Sequence, residues 1–363
     1  RRVRLWDMPG LKATLAVRAA WRPPAGADAG ASPTLPALVA SLQSADACSV
    51  AASRDGCFVA TAHWASNGIE WHDCRASPPH SNRFDVMREE NCGAFALSGN
   101  RFAMCKKHFG VLVYRVGVEP GYASWQPVRG NKKRTTAVVE LPDGRVAMSG
   151  WHSAITLLRT HGDEWAVEAT LRGHRKSVYC LTWTQEGTLV SGGEDHTLRT
   201  WDVGATPPRC ADVLRTPAQV TAVCTLADGR VASGHRDGVV RVWRLSSRAC
   251  VATVAAHSRE VRNMAALDDG SMCTSSWDGV VRLWDVGVSR CVSELVGEAV
   301  AGSAPFRLVS VARCGPYGLV VGGTTLGNEE RYSFAPVMHA ALVYSLGWLR
   351  RRAAVGAWLA ARW

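Results

Sequence analysis

The sequence predicts an all-β fold in which one unit is repeated about seven times and closed into a single ring. Two internal regularities and one feature of composition predict it. A gap-free repeat runs through the C-terminal half, turn signals recur at an even spacing along most of the chain, and Gly (34) and Trp (15) are frequent, as many short strands with tight turns require.

The gap-free repeat covers Leu189 to Trp201, Val231 to Trp243 and Met272 to Trp284. Asp195, Asp237 and Asp278 are 42 and 41 residues apart. Each lies six residues before a Trp and four after a Ser or Thr, and in two units a His (His174, His257) lies 21 residues before the Asp. Agreement at four separate offsets marks a true repeat. The remaining units emerge from their turns. Counted at residues 55, 99, 143, 186, 228, 269 and 315, the steps are 44, 44, 43, 42, 41 and 46 residues. Most are Asx-Gly pairs, and Gly tolerates the positive φ that a tight hairpin needs. Seven turns imply seven inner hairpins.

Gly173-His174 through Trp201-Asp202 and Ala256-His257 through Trp284-Asp285 resemble the WD40 family, whose repeat is about 40–45 residues long. The resemblance implies a β-propeller with four antiparallel strands per blade, and the seven inner hairpins make seven blades. It puts the His in the loop before the innermost strand and the Asp in the turn between the second and third strands. It further implies a hydrogen-bonded network inside each blade, here His174, Ser191, Asp195 and Trp201, then Ser233, Asp237 and Trp243, then His257, Thr274, Asp278 and Trp284. Asp, His and Ser together could mean nucleophilic catalysis. The set recurs once per unit, whereas an active site is unique, so a structural role is expected and no enzyme activity. The unit of Asp237 lacks the His, its connecting run reading Pro217-Ala218-Gln219. The unit of Ser149 carries Ser153 and Arg159 at the Asp and Trp offsets, and the first two complete units carry Ala65 and His108 at the Asp offset. Lower local stability is therefore expected in the N-terminal half.

The ends fit closure. Val3–Asp7 and Lys12–Arg18 read as strands, and the last hairpin, Leu308–Gly322, has no Trp-Asp strand after it, so overlap of N- and C-terminal strands would complete the last blade and remove free edges. Trp21–Ala47, rich in Ala and Pro, reads as a disordered insert inside a 1–337 propeller, and Met338–Trp363 as a basic tail with interleaved Trp and Leu. The chain opens without Met, which points to residues upstream, an Arg-rich transit peptide being the weaker reading.

Twelve Cys without a CxxC pair, and no Asn-x-Ser/Thr acceptor, read as reduced thiols in an intracellular protein of cytoplasm or nucleus. No apolar run reaches the roughly 20 residues of a membrane span. No metal or cofactor is expected: His63, His72 and Asp73 lack zinc spacing, and Gly322–Gly327 lacks the Lys of a phosphate loop.

A net charge of +11 biases partners toward anions. The propeller alignment brings Lys106, Lys107, Lys132, Lys133, Arg134, Arg175, Lys176, Arg236 and Arg259 to loops at one end of the ring, diluted by Glu89, Glu90, Glu194 and Glu260. The expected function is a non-catalytic scaffold that docks a protein partner there, an acidic or phosphorylated segment suiting the cluster. The alternatives are a substrate receptor or adaptor in ubiquitin-dependent degradation and, on charge alone, an RNA- or ribonucleoprotein-associated propeller.

Overall fold

Gly144, Gly187, Gly229 and Gly270 all adopt φ of 82–83°, so the turns read from the sequence are tight hairpins that only Gly makes without strain. Each reverses an innermost strand into the next one. The computed structural model describes residues 134–161, 164–267, 270–287 and 289–297, and, on either side, the strands and a few adjoining residues within 19–128 and 307–345.

Six blades are each built from four consecutive antiparallel strands: A (47–85), B (91–128), C (135–172), D (178–215), E (220–255) and F (261–297). The fold is an all-β propeller, with one fewer consecutive-strand blade than the seven turns imply. The chain after the last hairpin signal is organised differently. Arg307–Cys314, Gly318–Thr324 and His339–Ser345 form a sheet whose fourth and outermost strand is Ala37–Gln43, paired to the last of them from Ala37↔Ser345 to Gln43↔Ala340. A further N-terminal strand, Ala19–Arg22, adds a fifth strand to blade F by pairing with Arg290–Gly297.

These strands correct two expectations. The segment 21–47 is not wholly an insert, because Ala37–Gln43 (ALVASLQ) is free of Gly and Pro and pairs as a strand. The propeller does not stop at residue 337, since His339–Ser345 lies inside a sheet. N- and C-terminal strands do overlap, but through 37–43; Val3–Asp7 and Lys12–Arg18 lie outside the described residues.

The core lies between blades rather than within them. Leu141, Ile155 and Leu171 of blade C pack on Val178, Leu189 and Trp201 of blade D. Val190, Leu198 and Leu214 of D pack on Val220, Val231 and Trp243 of E. Ala232, Val240 and Val242 of E pack on Val261, Met272 and Trp284 of F. Each of these Trp side chains thus seals its blade against the preceding one. Close approach explains the Gly that follows the Ser in blades D and E. A Cβ on Gly192 would lie 2.3 Å from Val220 Cγ1, and one on Gly234 2.5 Å from Val261 Cγ1.

Candidate docking face

Antiparallel order puts the start of every innermost strand at the same end of its blade as the turn between the second and third strands. One backbone hydrogen bond ties the two together in four successive blades: Trp151 N to Arg134 O, Glu194 N to Ser177 O, Arg236 N to Gln219 O and Trp277 N to Glu260 O. The innermost strands surround a central channel, lined by one segment from each of blades A to F and by Ser310–Arg313. Polar contacts run round it from blade to blade. Ser49 Oγ accepts from Ala94 N, Thr136 Oγ1 donates to Val178 O and Thr221 Oγ1 to Val261 O. Asn263 Nδ2 donates to Ser310 Oγ, and Ser310 Oγ accepts from Val50 N of blade A.

Beneath this end the polar sets of blades D, E and F differ in a way the sequence did not show. In blade D, Trp201 Nε1 donates to Ser191 Oγ (2.8 Å), the Ser191 hydroxyl to His174 Nε2 (2.7 Å), and His174 Nδ1 to Asp195 (2.9 Å). The proton placement is the one that satisfies every member. Burial raises the pKa of Asp195, but hydrogen bonds from His174, the Arg175 N–H and Thr197 outweigh it and hold the carboxyl well below the usual range. Blade F repeats the chain through Trp284, Thr274, His257 and Asp278, with Arg282 Nη1 also on Asp278. There burial again opposes the hydrogen bond from His257, and the balance brings Asp278 down to about 2.

In blade E only half of the set is present. Trp243 Nε1 donates to Ser233 Oγ (2.8 Å), but the imidazole that receives the Ser233 hydroxyl is His235, two residues along the same strand (2.8 Å). Its Nδ1 donates to the Ala218 carbonyl (3.3 Å) instead of a carboxylate. Thr216 occupies the place held by His174 and His257, four residues before the innermost strand. In blade D the residue matching His235 is Gly193, where a Cβ would lie 2.6 Å from Ser177 O and 3.4 Å from His174 Nδ1. In blade D the imidazole from the loop leaves no room for a second one from the strand, and blade F, which also has the loop imidazole, carries only the small Ser276 there, its hydroxyl donating to Arg259 O. Asp237 does not join the network: it is 35% exposed at its side chain and turns to Arg241 Nη2 (3.1 Å) and Val239 N (3.0 Å). Burial, and then the Arg241 charge, lower the pKa of His235 to about 4.

Blade C corrects the alignment by one residue. Leu158 stands opposite Val146, as Trp201 stands opposite Leu189, so the position of the repeat Trp is Leu158 and not Arg159. Met148, in place of Ser191, and Leu158 are fully buried, and Trp165 from the outer strand fills the B/C interface. Ser153 and Arg159 are exposed, the latter donating to Glu168. A buried apolar pair replaces the polar set. Trp165 was not singled out in the sequence because it lies outside the repeat register.

Of the basic residues expected at this end, Arg175 and Lys176 (blade D), Arg236 (E) and Arg259 (entering F) are exposed there. Lys176 Nζ lies 3.5 Å from Glu194 Oε1, and Arg236 Nη1 donates to Gln219 Oε1 (3.0 Å). Arg134 is half-buried, its guanidinium 4.8 Å from the Trp151 ring centroid. Lys107, Lys132 and Lys133, with Glu89 and Glu90, lie outside the described residues, as does the side chain of Lys106. Trp151 and the stacked pair Arg262–Trp277 (4.9 Å) were missed in the sequence, although Trp151 follows the strand-ending Gly150 directly, a usable signal that Trp277, after Ser276, lacks. Near the channel rim, burial and the neighbouring Glu194 raise the pKa of Tyr179.

The WD domain, G-beta repeat family matches residues 165–202, 209–244 and 248–285, the outer strand of blade C and the repeat units of D to F. The chain is a WD40-repeat β-propeller. Relatives carry the same repeat. A ribosome biogenesis protein WDR12 homolog of Chlamydomonas reinhardtii is 30% identical over 179 residues, 47% of this chain and 36% of that protein. Protein LST8 homolog of Drosophila melanogaster is 30% identical over 135 residues (34% and 43%). APC/C activator protein CDH1 of Saccharomyces cerevisiae is 34% identical over 100 residues (26% and 17%). The WD40 chain therefore spans less than half the length of each.

Within the WD40 fold, His63 ends one strand of blade A while His72 and Asp73 lie on the next. His72 is buried, which lowers its pKa to about 4, and no group of three metal-ligating side chains occurs among the described residues. Eight cysteines among the described residues are free thiols, and burial raises the pKa of Cys224 to about 12. Among the described residues no helix is long and apolar enough to cross a membrane.

Proposed function

We propose that this WD40 propeller is a non-catalytic scaffold that docks a protein partner on the end of the ring where the innermost strands begin. The observation that carries the reading is convergence. Arg134, Arg175, Lys176, Arg236, Arg259 and Arg262 come from four successive blades to that end, and one backbone hydrogen bond repeated in each blade fixes their loops. Loops held by a rigid frame are where binding residues concentrate. The sheet of Ala37–Gln43 with 307–345 acts as a seventh blade, since Ser310 links it to Val50 of blade A and Asn263 of blade F. The free thiols support a location inside the cell, in cytoplasm or nucleus.

The test is capture of partners from lysate by wild type and by Arg175→Glu with Lys176→Glu and Arg236→Glu. Charge reversals at the opposite end, Arg209→Glu and Arg230→Glu, serve as the control. Arg145 is unsuitable as a control because it is buried against Glu168 and the Val203 carbonyl. Loss of partners only in the first variant, more steeply as salt rises, supports the reading; equal recovery by both overturns it. A ribonucleoprotein association is the second reading, favoured by the +11 charge and by the WDR12 relative's name, and recovery lost on nuclease treatment would select it. The CDH1 relative keeps the degradation-adaptor reading in view, which would show as ubiquitin-ligase subunits among the captured proteins.

A further inference from the structure

Two Trp side chains occupy equivalent places on the docking end. Trp151 of blade C and Trp277 of blade F each follow the second strand and donate the same backbone hydrogen bond, and each carries a guanidinium on its ring. The two stacks differ in one respect. In blade F the cation is answered from within: Glu260 Oε1 lies 3.2 Å from Arg262 Nη1. In blade C the residue at the place of Glu260 is Arg134 itself, and among the described residues it has no carboxylate within ion-pair distance. Its Nε is buried with no hydrogen-bond partner. The stack is also held rigidly, because Trp151 N donates to Arg134 O and a Cβ on Gly150 would lie 2.1 Å from that same oxygen. Trp151 is 55% exposed, the most exposed large apolar side chain among the described residues.

A guanidinium stacked on an indole has its donors fixed in a plane, which suits a carboxylate taken with two parallel hydrogen bonds. An exposed Trp beside it offers an apolar surface, and Trp and Arg are both among the residue types enriched at the binding hot spots of protein interfaces. We propose that Arg134 and Trp151 form the anchor point of the docking face, where a partner's acidic segment places a carboxylate on Arg134 and an adjacent apolar side chain on Trp151. The partner carboxylate takes the role that Glu260 plays toward Arg262 in blade F. This inference rests on the docking-face reading and names the chemistry of its partner.

The test uses the whole chain labelled with 5-fluorotryptophan, the Trp151 fluorine resonance being assigned by its loss in Trp151→Phe. The probe is the peptide acetyl-Glu-Leu-Glu-Phe-Glu-Leu-amide, with Gln in place of Glu as the control. The acidic peptide should shift the Trp151 resonance and the Gln peptide should not. Arg134→Gln and Trp151→Ala should each weaken binding at least tenfold with an unchanged circular dichroism spectrum, and Arg209→Gln, at the opposite end of the ring, should leave it within twofold. Equal shifts by both peptides, or none at millimolar peptide, overturn the proposal, as does a shift produced by a uridine oligonucleotide and not by the peptide. Lysate partners lost on reversal of Arg175, Lys176 and Arg236, but retained by Arg134→Gln and Trp151→Ala, overturn it while leaving the docking-face reading intact.

Discussion

Blades D and E stand side by side and share the Ser–Trp pair, yet they complete it in different ways. In D the imidazole comes from the connecting loop and ends on a carboxylate; in E it comes from the second strand and ends on a backbone carbonyl. The fold asks for an imidazole beside the Ser hydroxyl, and the place in the chain that supplies it can change. What the exchange removes is the carboxylate, which leaves Asp237 free to pair with Arg241 near the surface. A buried hydroxyl and an indole N–H must find partners, whereas an Asp that can reach water need not.

The largest expected effect separates the two kinds of Asp. Asp278→Ala leaves His257 Nδ1 without its acceptor and Arg282 with Glu294 alone, and should lower stability by about 3 kcal/mol, the range for breaking a buried charge pair. Asp237→Ala should lower it by under about 1 kcal/mol, as for a surface ion pair. Urea unfolding midpoints check both, and equal losses would sink the distinction. For Asp278 the contribution is present above its unfolded pKa of 3.8 and is lost as pH falls toward about 2.

His235→Ala should come next, at about 2 kcal/mol for the imidazole lost from the Ser233 hydroxyl, which keeps only the longer bond to the Arg241 carbonyl (3.3 Å), and for the space left behind. Thr216→His with His235→Gly should recover more than half of that loss by rebuilding the arrangement of blade D. The loss should also depend on pH. The folded protein keeps His235 neutral to about pH 4, while the unfolded chain takes up its proton below about 6.5, so wild-type stability declines between those values. A variant without the imidazole lacks that decline, and its deficit should narrow as pH drops from 7 to 4.5. A deficit that widens instead would mean that His235 is charged in the folded state.

The smallest effect belongs to blade C. Ser153→Ala should change stability by no more than about 0.5 kcal/mol because the side chain is exposed and outside any network. Leu158→Ala is the informative partner to it, since Leu158 stands where D, E and F have Trp; a loss no larger than that of Ser153→Ala would return the repeat position to Arg159.

The sequence by itself determined the repeat, the hairpin turns and the all-β class. Those depend on short-range chemistry: an Asx-Gly pair needs positive φ wherever it falls, and a strand shows its alternation locally. It also placed His174, Ser191, Asp195 and Trp201, because all four offsets survive in one unit. Tertiary structure alone decided three things. It moved the register of blade C by one residue, because pairing follows the turn at Gly144 rather than the nearest Ser. It put Ala37–Gln43 against His339–Ser345, a pairing of residues nearly the whole chain apart, which no local pattern encodes. And it let His235 stand in for a missing His, because a hydrogen bond is satisfied by a position in space and not by a position in the chain.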